Sequence, residues 1–274
     1  MHGKINLVTV MNILEKIIAH KRIEVEENKL NAPVHQLEKK EFFNRPVIPL
    51  GKSLLDQNST GIIAEFKRQS PSRGVINGNA DVVMVTTAYS SNGAAALSVL
   101  TDNHFFGGSN ADLEKARINN IPILRKDFII DEYQIVEAKA IGADVILLIA
   151  ACLTKYEVKR LAAFAKTLGL EVLLEIHNED ELEHICAECD VIGVNNRDLK
   201  YFTVDINRSL KLSDNIPADK VKISESGITD TDTIHMLRSS GFRGFLIGEN
   251  FMREQDPAIA FASFVKNLKT LSPR

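Results

Sequence analysis

The chain has 274 residues, 45% of them hydrophobic, and a formal net charge of -3 at pH 7. That length and apolar content are enough to bury a large core, the near-neutral charge gives no pull towards nucleic acid or an anionic membrane, and no apolar run approaches the roughly 18 residues of a membrane span. Cys152, Cys186 and Cys189 make an odd count, and Glu15, Lys16 and Lys21 stand where a secretory leader needs an uncharged apolar core, so the expectation is a reduced, cytoplasmic protein.

Between Asn12 and Asn28, Leu14, Ile17, Ile18 and Val25 recur with charge between them, a helical stripe that must cover something. From Lys29 to Thr60 the chain is interrupted by Pro33, Pro46 and Pro49 and reads as a linker with short helices. Residues 1–60 are therefore expected to be a helical extension packed on a larger unit, 61–274.

That unit opens with an apolar run from Ile62 that ends in Glu65-Phe66-Lys67. Strand alternation puts Glu65 and Lys67 on one side and Phe66 on the other. The hydroxyl- and breaker-rich stretch Ser70-Pro71-Ser72-Arg73-Gly74 then predicts a turn. Taken alone, the pair could be a surface salt bridge at a strand end.

Further along, helix and strand alternate. Helices are predicted over Asp81–Asn92, Asn110–Asn119, Asp131–Ile141, Thr154–Leu168 and Glu179–Ala187, with a last one after Asp256-Pro257; Thr154 with Glu157 and Asn178 with Glu181 supply capping signals. Strands are predicted to begin at Ile62, Ala95, Pro122, Asp144, Glu171, Val191, Val221 and Phe245. Eight short apolar strands with a helical repeat, and no Gly-x-Gly-x-x-Gly after the first, predict an α/β protein, a (β/α)8 TIM barrel with an extra N-terminal helical segment, over an open doubly wound sheet.

In such a barrel the C-terminal strand ends converge on one mouth. Here they bring Glu65 and Lys67, Lys126 and then Phe128, Glu175, Asn195 and Arg197, Glu225 with Ser226 and Gly227, and Gly248. A solvated strand end accounts for any one of these but not for amines and carboxylates crowded into one place, so the mouth is the candidate active site. Gly227 and Gly248 end the seventh and eighth strands, where barrels bind phosphate through backbone N–H groups, and a phosphorylated small molecule follows. Glu249 would repel that phosphate unless its side chain turns away and only its N–H faces the ligand.

Glu65-Phe66-Lys67-Arg68-Gln69-Ser70-Pro71-Ser72, Leu124-Arg125-Lys126-Asp127-Phe128, Gly193-Val194-Asn195-Asn196-Arg197-Asp198-Leu199 and Ser224-Glu225-Ser226-Gly227-Ile228 together resemble the indole-3-glycerol-phosphate synthases of tryptophan biosynthesis. The resemblance spans nearly the whole chain and includes the helix before the barrel. It implies a carboxy-lyase, without a cofactor or metal, that closes 1-(2-carboxyphenylamino)-1-deoxyribulose 5-phosphate into an indole with loss of carbon dioxide and water. By similarity Lys126 is the general acid, Lys67 holds the substrate carboxylate and assists dehydration, and Glu175 is the general base. Glu65 and Glu225 position the lysines, while Asn195 and Arg197 orient the substrate. Phe106, Phe128, Leu147 and Leu199 line a slot for the aromatic ring, and Ser70, Ser226, Gly227, Gly248 and the N–H of Glu249 face the phosphate. A monomer or weak homo-oligomer is expected.

Two rival readings stay open on the residues. A phosphoribosylanthranilate isomerase would want a cysteine or aspartate where this chain has Glu65 and Lys67, and a non-catalytic sugar-phosphate-binding barrel would have no use for buried Lys67, Lys126 and Glu175. Cys186-Ala187-Glu188-Cys189, with His184 nearby, lacks the second ligand pair of a zinc site, so these cysteines read as packing residues. His104 and His177 flank strand ends and read as satisfied structural histidines.

Overall fold

Alternation along the strands decides what each layer of the molecule contains. A computed structural model describes residues 11–270. Its strands are β1 (Ile62–Phe66), β2 (Ala96–Leu100), β3 (Ile123–Lys126), β4 (Val145–Ile149), β5 (Glu171–Ile176), β6 (Val191–Asn195), β7 (Val221–Glu225) and β8 (Gly244–Ile247). Each pairs in parallel with the next, and β8 closes on β1 through Ile62↔Phe245 and Ala64↔Ile247. Ile62, Ala64 and Phe66 face outward into the apolar layer under the helices, while Ile63 joins Leu124, Val145, Leu147, Leu173, Val191, Ile223 and Leu246 inside the barrel. The barrel interior is thus apolar through its middle, and its C-terminal end carries a cluster of charges.

Both ends of the barrel are covered by the segment that precedes it. Leu50 and Leu54, on the helix Leu50–Leu55, join the inner cluster. That helix is fixed by Glu171 at the start of β5, whose Oε2 accepts from Leu50 N at 2.5 Å and Gly51 N at 3.1 Å. Helix α1 (Ile13–Asn31) starts on a capping box between Asn12 and Glu15 and runs three residues beyond the predicted Asn28. Its buried stripe is Ile17, Lys21 and Val25, so a lysine stands in the middle of the apolar face.

Several elements differ from the expectation, among them the helix Thr231–Ser239 between β7 and β8, which was not predicted. The segment predicted as a helix over Glu179–Ala187 is a 3-10 helix, Glu179–His184, with no residue fully buried. It has no apolar face to hold full α-turns, and Glu181 is drawn back to accept from the His177 N–H at 2.7 Å. After β6, where no helix was expected, a short one spans Asn207–Leu212; its buried residues, Ser209 and Leu212, are too few to write a periodic stripe. The predicted turn after β1 is a small antiparallel hairpin, Gln69–Ser70 with Gly74–Val75. Arg68 anchors its base, with Nη1 and Nη2 on the two Asp112 oxygens at 2.6 and 3.0 Å.

Candidate active site

Above the apolar layer, the inward positions of β1, β3, β5 and β7 carry Glu65, Lys126, Glu175 and Glu225. Lys67 lies two residues past Glu65 on the same side, and its Nζ meets Glu65 Oε2 at 2.6 Å. Lys126 Nζ lies 3.2 Å from Glu175 Oε2 and 3.8 Å from Glu225 Oε2. The two lysines keep 17% and 16% of their side chains exposed, whereas the glutamates are almost wholly buried. Glycine makes room for them: a Cβ on Gly248 would collide with Glu65 Oε2, and one on Gly193, in the middle of β6, with Glu225 Oε1. Gly248 is a glycine for that close approach, since its φ of -127° suits any residue.

Burial works against each of these charges, and the neighbours decide the outcome. Burial alone would lower the Lys126 ammonium, but Glu175, Glu225 and Glu65 more than offset it and hold the group charged. For Glu175, too, burial is the largest influence and an upward one; Lys126 and His177 overcome it and keep the carboxylate ionised. Glu225 goes the other way. Burial, then repulsion by Glu175, pushes it up to about 8 against the pull of Lys126, so near neutral pH it holds a proton. The site therefore contains a fixed ammonium, a fixed carboxylate and a neutral carboxylic acid side by side, the asymmetry that proton transfer requires.

These groups form one wall of a cavity of about 310 Å³. Asn195, Arg197, Phe106, Phe128, Leu147 and Leu199 line it too; the rings of Phe106 and Phe128 lie 5.9 Å apart and leave an apolar flank. At the other end are Ser70, Ser226, Gly227, Gly248 and Glu249, so every candidate from the sequence borders the same space. Ser226 and Gly227 both take left-handed backbone conformations, with φ 67° and 79°. For a serine that is strained, and buried Asn196 holds it there by donating to Ser226 O at 3.0 Å and Ser224 Oγ at 2.9 Å. The Glu249 side chain was expected to turn away from this end. Its charge is taken up by Arg73 Nε at 3.0 Å and Arg197 Nη2 at 3.3 Å, two residues that also border the cavity.

Leu14 and Ile17, from the α1 stripe that was expected to cover something, border the cavity. Sequence reasoning passed over several residues here: Ile13 and the cations Arg73 and Arg253 also border it. Lys21 fixes α1 above it, with Nζ 2.9 Å from Asp102 and 3.0 Å from Asp127 and no exposed side chain. His177, read as a structural histidine, stands behind Glu175: its Nε2 is 3.3 Å from Glu175 Oε1 and its Nδ1 3.2 Å from Glu181 Oε2. Burial would lower it, but those two carboxylates push it up to about 9, so it is an imidazolium at neutral pH. The sign that could have revealed it is spacing, since Glu175 and His177 are two apart at a strand end and face the same way. Among the described residues no group of three or more His, Cys, Asp or Glu side chains is arranged to hold a metal ion.

Residues 14–264, nearly the whole chain, match the family model described as indole-3-glycerol phosphate synthase. Proteins of that name are similar throughout: one from Bacteroides thetaiotaomicron is 47% identical over 262 residues, covering 94% of this chain and 99% of the relative. Another, from Campylobacter jejuni subsp. doylei, is 43% identical over 259 residues, covering 92% and 100%. In fold alone, the chain is also similar to a structure of the tryptophan synthase a2b2 complex from Pyrococcus furiosus, with a TM-score of 0.56 at 13% identity over 77% of this chain and 98% of that one. A closed parallel barrel, a lysine and glutamate cluster at its mouth and identity of this extent agree: the chain belongs to the indole-3-glycerol phosphate synthase family.

Proposed function

We propose that the chain catalyses the reaction its family is named for, converting 1-(2-carboxyphenylamino)-1-deoxyribulose 5-phosphate to indole-3-glycerol phosphate, carbon dioxide and water. The observation that carries this reading is geometric: at the mouth of the barrel, Lys126 Nζ lies 3.2 Å from Glu175 and 3.8 Å from Glu225, an acid and candidate bases on one cavity wall. Ring closure needs an acid at the sugar carbonyl as the aromatic carbon attacks. Lys126 supplies it: its proton neutralises the developing alkoxide, and the carboxylates at its back stabilise the ammonium until then. Lys67, paired with Glu65 at the open edge, holds the substrate carboxylate and then protonates the departing hydroxyl. Glu175 removes the last ring proton, and Glu65 and Glu225 position the two lysines.

Asn195 and Arg197 orient the substrate, and the flank of Phe106, Phe128, Leu147 and Leu199 takes the aromatic ring. Ser70, Ser226, Gly227, Gly248 and the N–H of Glu249, which opens the short helix Glu249–Met252, surround the phosphate, with Arg73 and Arg253 near enough to add charge. We place the enzyme in the cytoplasm, in keeping with its three free cysteines. Fluorescence of the indole product after mixing protein with the acyclic substrate tests the reading directly. No fluorescence from folded protein, with substrate still bound, would leave a binding barrel in its place.

A further inference from the structure

The segment between the Glu179–His184 helix and β6 lies outside the cavity, and it contains two thiols that the reaction does not use. Cys189 N donates to Cys186 O at 3.2 Å, closing Cys186-Ala187-Glu188-Cys189 into a β-turn. A β-turn keeps its first and fourth Cα within about 7 Å, and a disulfide spans a Cα separation of roughly 4.4 to 6.8 Å. The sulfurs already face each other at 3.5 Å. The backbone around them is pinned: Lys220 Nζ donates to Ala187 O at 3.0 Å, and Asp190 accepts from Lys166 Nζ at 2.7 Å and Val172 N at 2.8 Å.

The two thiols are not equivalent. Cys186 is half-buried, whereas Cys189 is 1% exposed and packs in the core. The contact with the Cys189 sulfur holds the Cys186 thiol below its ordinary range, against burial and the nearby Glu188. The same contact, with burial, pushes Cys189 up. Cys152, the third cysteine, is pushed up by burial and by Glu175 and stays a thiol. Only Cys186 combines access with thiolate character.

We propose that Cys186 and Cys189 form a dithiol site that small-molecule disulfides oxidise to an intramolecular disulfide. The Cys186 thiolate attacks the small disulfide and releases one thiolate, leaving a mixed disulfide. Cys189 then gives up its proton, and its sulfur attacks Cys186 Sγ and expels the second thiolate. Two electrons pass from the protein to the small disulfide, and the two thiol protons end on the two small thiols released.

Incubating the full chain with oxidised glutathione and mapping the products by mass spectrometry tests this. Wild type is expected to lose two of its three thiols, to keep no glutathione, and to yield a peptide linking Cys186 to Cys189. Cys189→Ala is expected to retain one glutathione on Cys186, and Cys186→Ala to retain none. The wild-type linkage stands as a result even if Cys189→Ala fails to fold. A lasting glutathione adduct on wild type, a bridge through Cys152 or between chains, or three thiols still free would overturn the proposal.

Discussion

Asp144 and Glu225 are both almost fully buried acids at ends of barrel strands, and they are treated in opposite ways. Asp144, at the entrance to β4, has every acceptor filled: Arg45 and Ile48 N on Oδ1, Arg117 Nη1 at 2.6 Å and Ile123 N at 2.8 Å on Oδ2. Glu225, at the exit of β7, lies 3.8 Å from Lys126, and its Oε1 has no hydrogen-bond partner among the described residues. An acid whose bonds are completed within the protein ties loops to the barrel. One left incomplete keeps capacity that a ligand can use, and burial makes it neutral meanwhile. The comparison separates stabilising charge from working charge more sharply than burial does.

The strongest test of the working end is Lys126→Ala. If Lys126 acts only in the transition state, kcat should fall by a factor on the order of 10² to 10⁴ with KM little changed. Lys126→Arg should not restore the rate, because a guanidinium does not give up its proton near neutral pH. Lys67→Ala should instead raise KM as well as lower kcat, if that residue holds the substrate carboxylate in the ground state as proposed. Steady-state kinetics of the three variants checks this; near wild-type kcat in Lys126→Ala removes the residue from the role of acid.

At the stabilising end, Asp144→Ala should behave in the reverse sense. It strands Arg117, whose side chain is 3% exposed, and the N–H groups of Ile48 before the helix Leu50–Leu55 and of Ile123 at the entrance to β3, for a loss of about 3 to 5 kcal/mol by denaturant titration. The protein that remains folded should turn over substrate near the wild-type rate. A fall in kcat without a fall in stability would break the division between the two ends.

His177→Asn sharpens the comparison within the mouth. It removes one charge-assisted contact to Glu175, so kcat should fall on the order of tenfold, about 1.5 kcal/mol. The stability effect has a definite sign. His177 binds its proton more tightly when folded, so its contribution is full below its ordinary 6.5 and is lost as pH rises through about 9. The gap in melting temperature between wild type and His177→Asn should close over that window, and a gap independent of pH would mean that the imidazolium is not what holds Glu175.

Glu225→Gln is the one variant expected not to lose stability. The amide mimics the neutral acid, so melting should match wild type at and below about pH 4.5, where the carboxyl is protonated in both the folded and the unfolded chain. Because the folded state binds this proton more tightly than the unfolded chain, wild type loses stability on account of Glu225 as pH climbs from its ordinary 4.5 through about 8. The variant should lack that loss and pull ahead progressively between about pH 4.5 and 8, with a clear lead already at neutral pH. Parallel curves would show that Glu225 is ionised throughout.

Much of this site could be read from the chain because a barrel turns a one-dimensional feature, the residue at the end of an apolar strand, into a shared location. Glu65, Lys126, Glu175, Asn195 and Glu225 were legible for that reason, as was the alternation that separates Phe66 from Lys67. The short helix Asn207–Leu212 was not, since an apolar face of so few residues leaves no period to detect. Lys21 was equally hidden: a lysine on a helix reads as solvated until the chain brings Asp102 and Asp127 to it from two other strand ends.

By itself, then, the sequence determined the eightfold repeat, the facing of each strand residue and which side chains reach the mouth, because these depend on local periodicity and on one rule of topology. Only the tertiary structure decided which of the buried charges are completed and which are left open, whether Glu225 is an acid or a carboxylate, and that His177 is a cation. Those properties are sums over neighbours from several strands, at separations of 3 to 4 Å that no local pattern encodes.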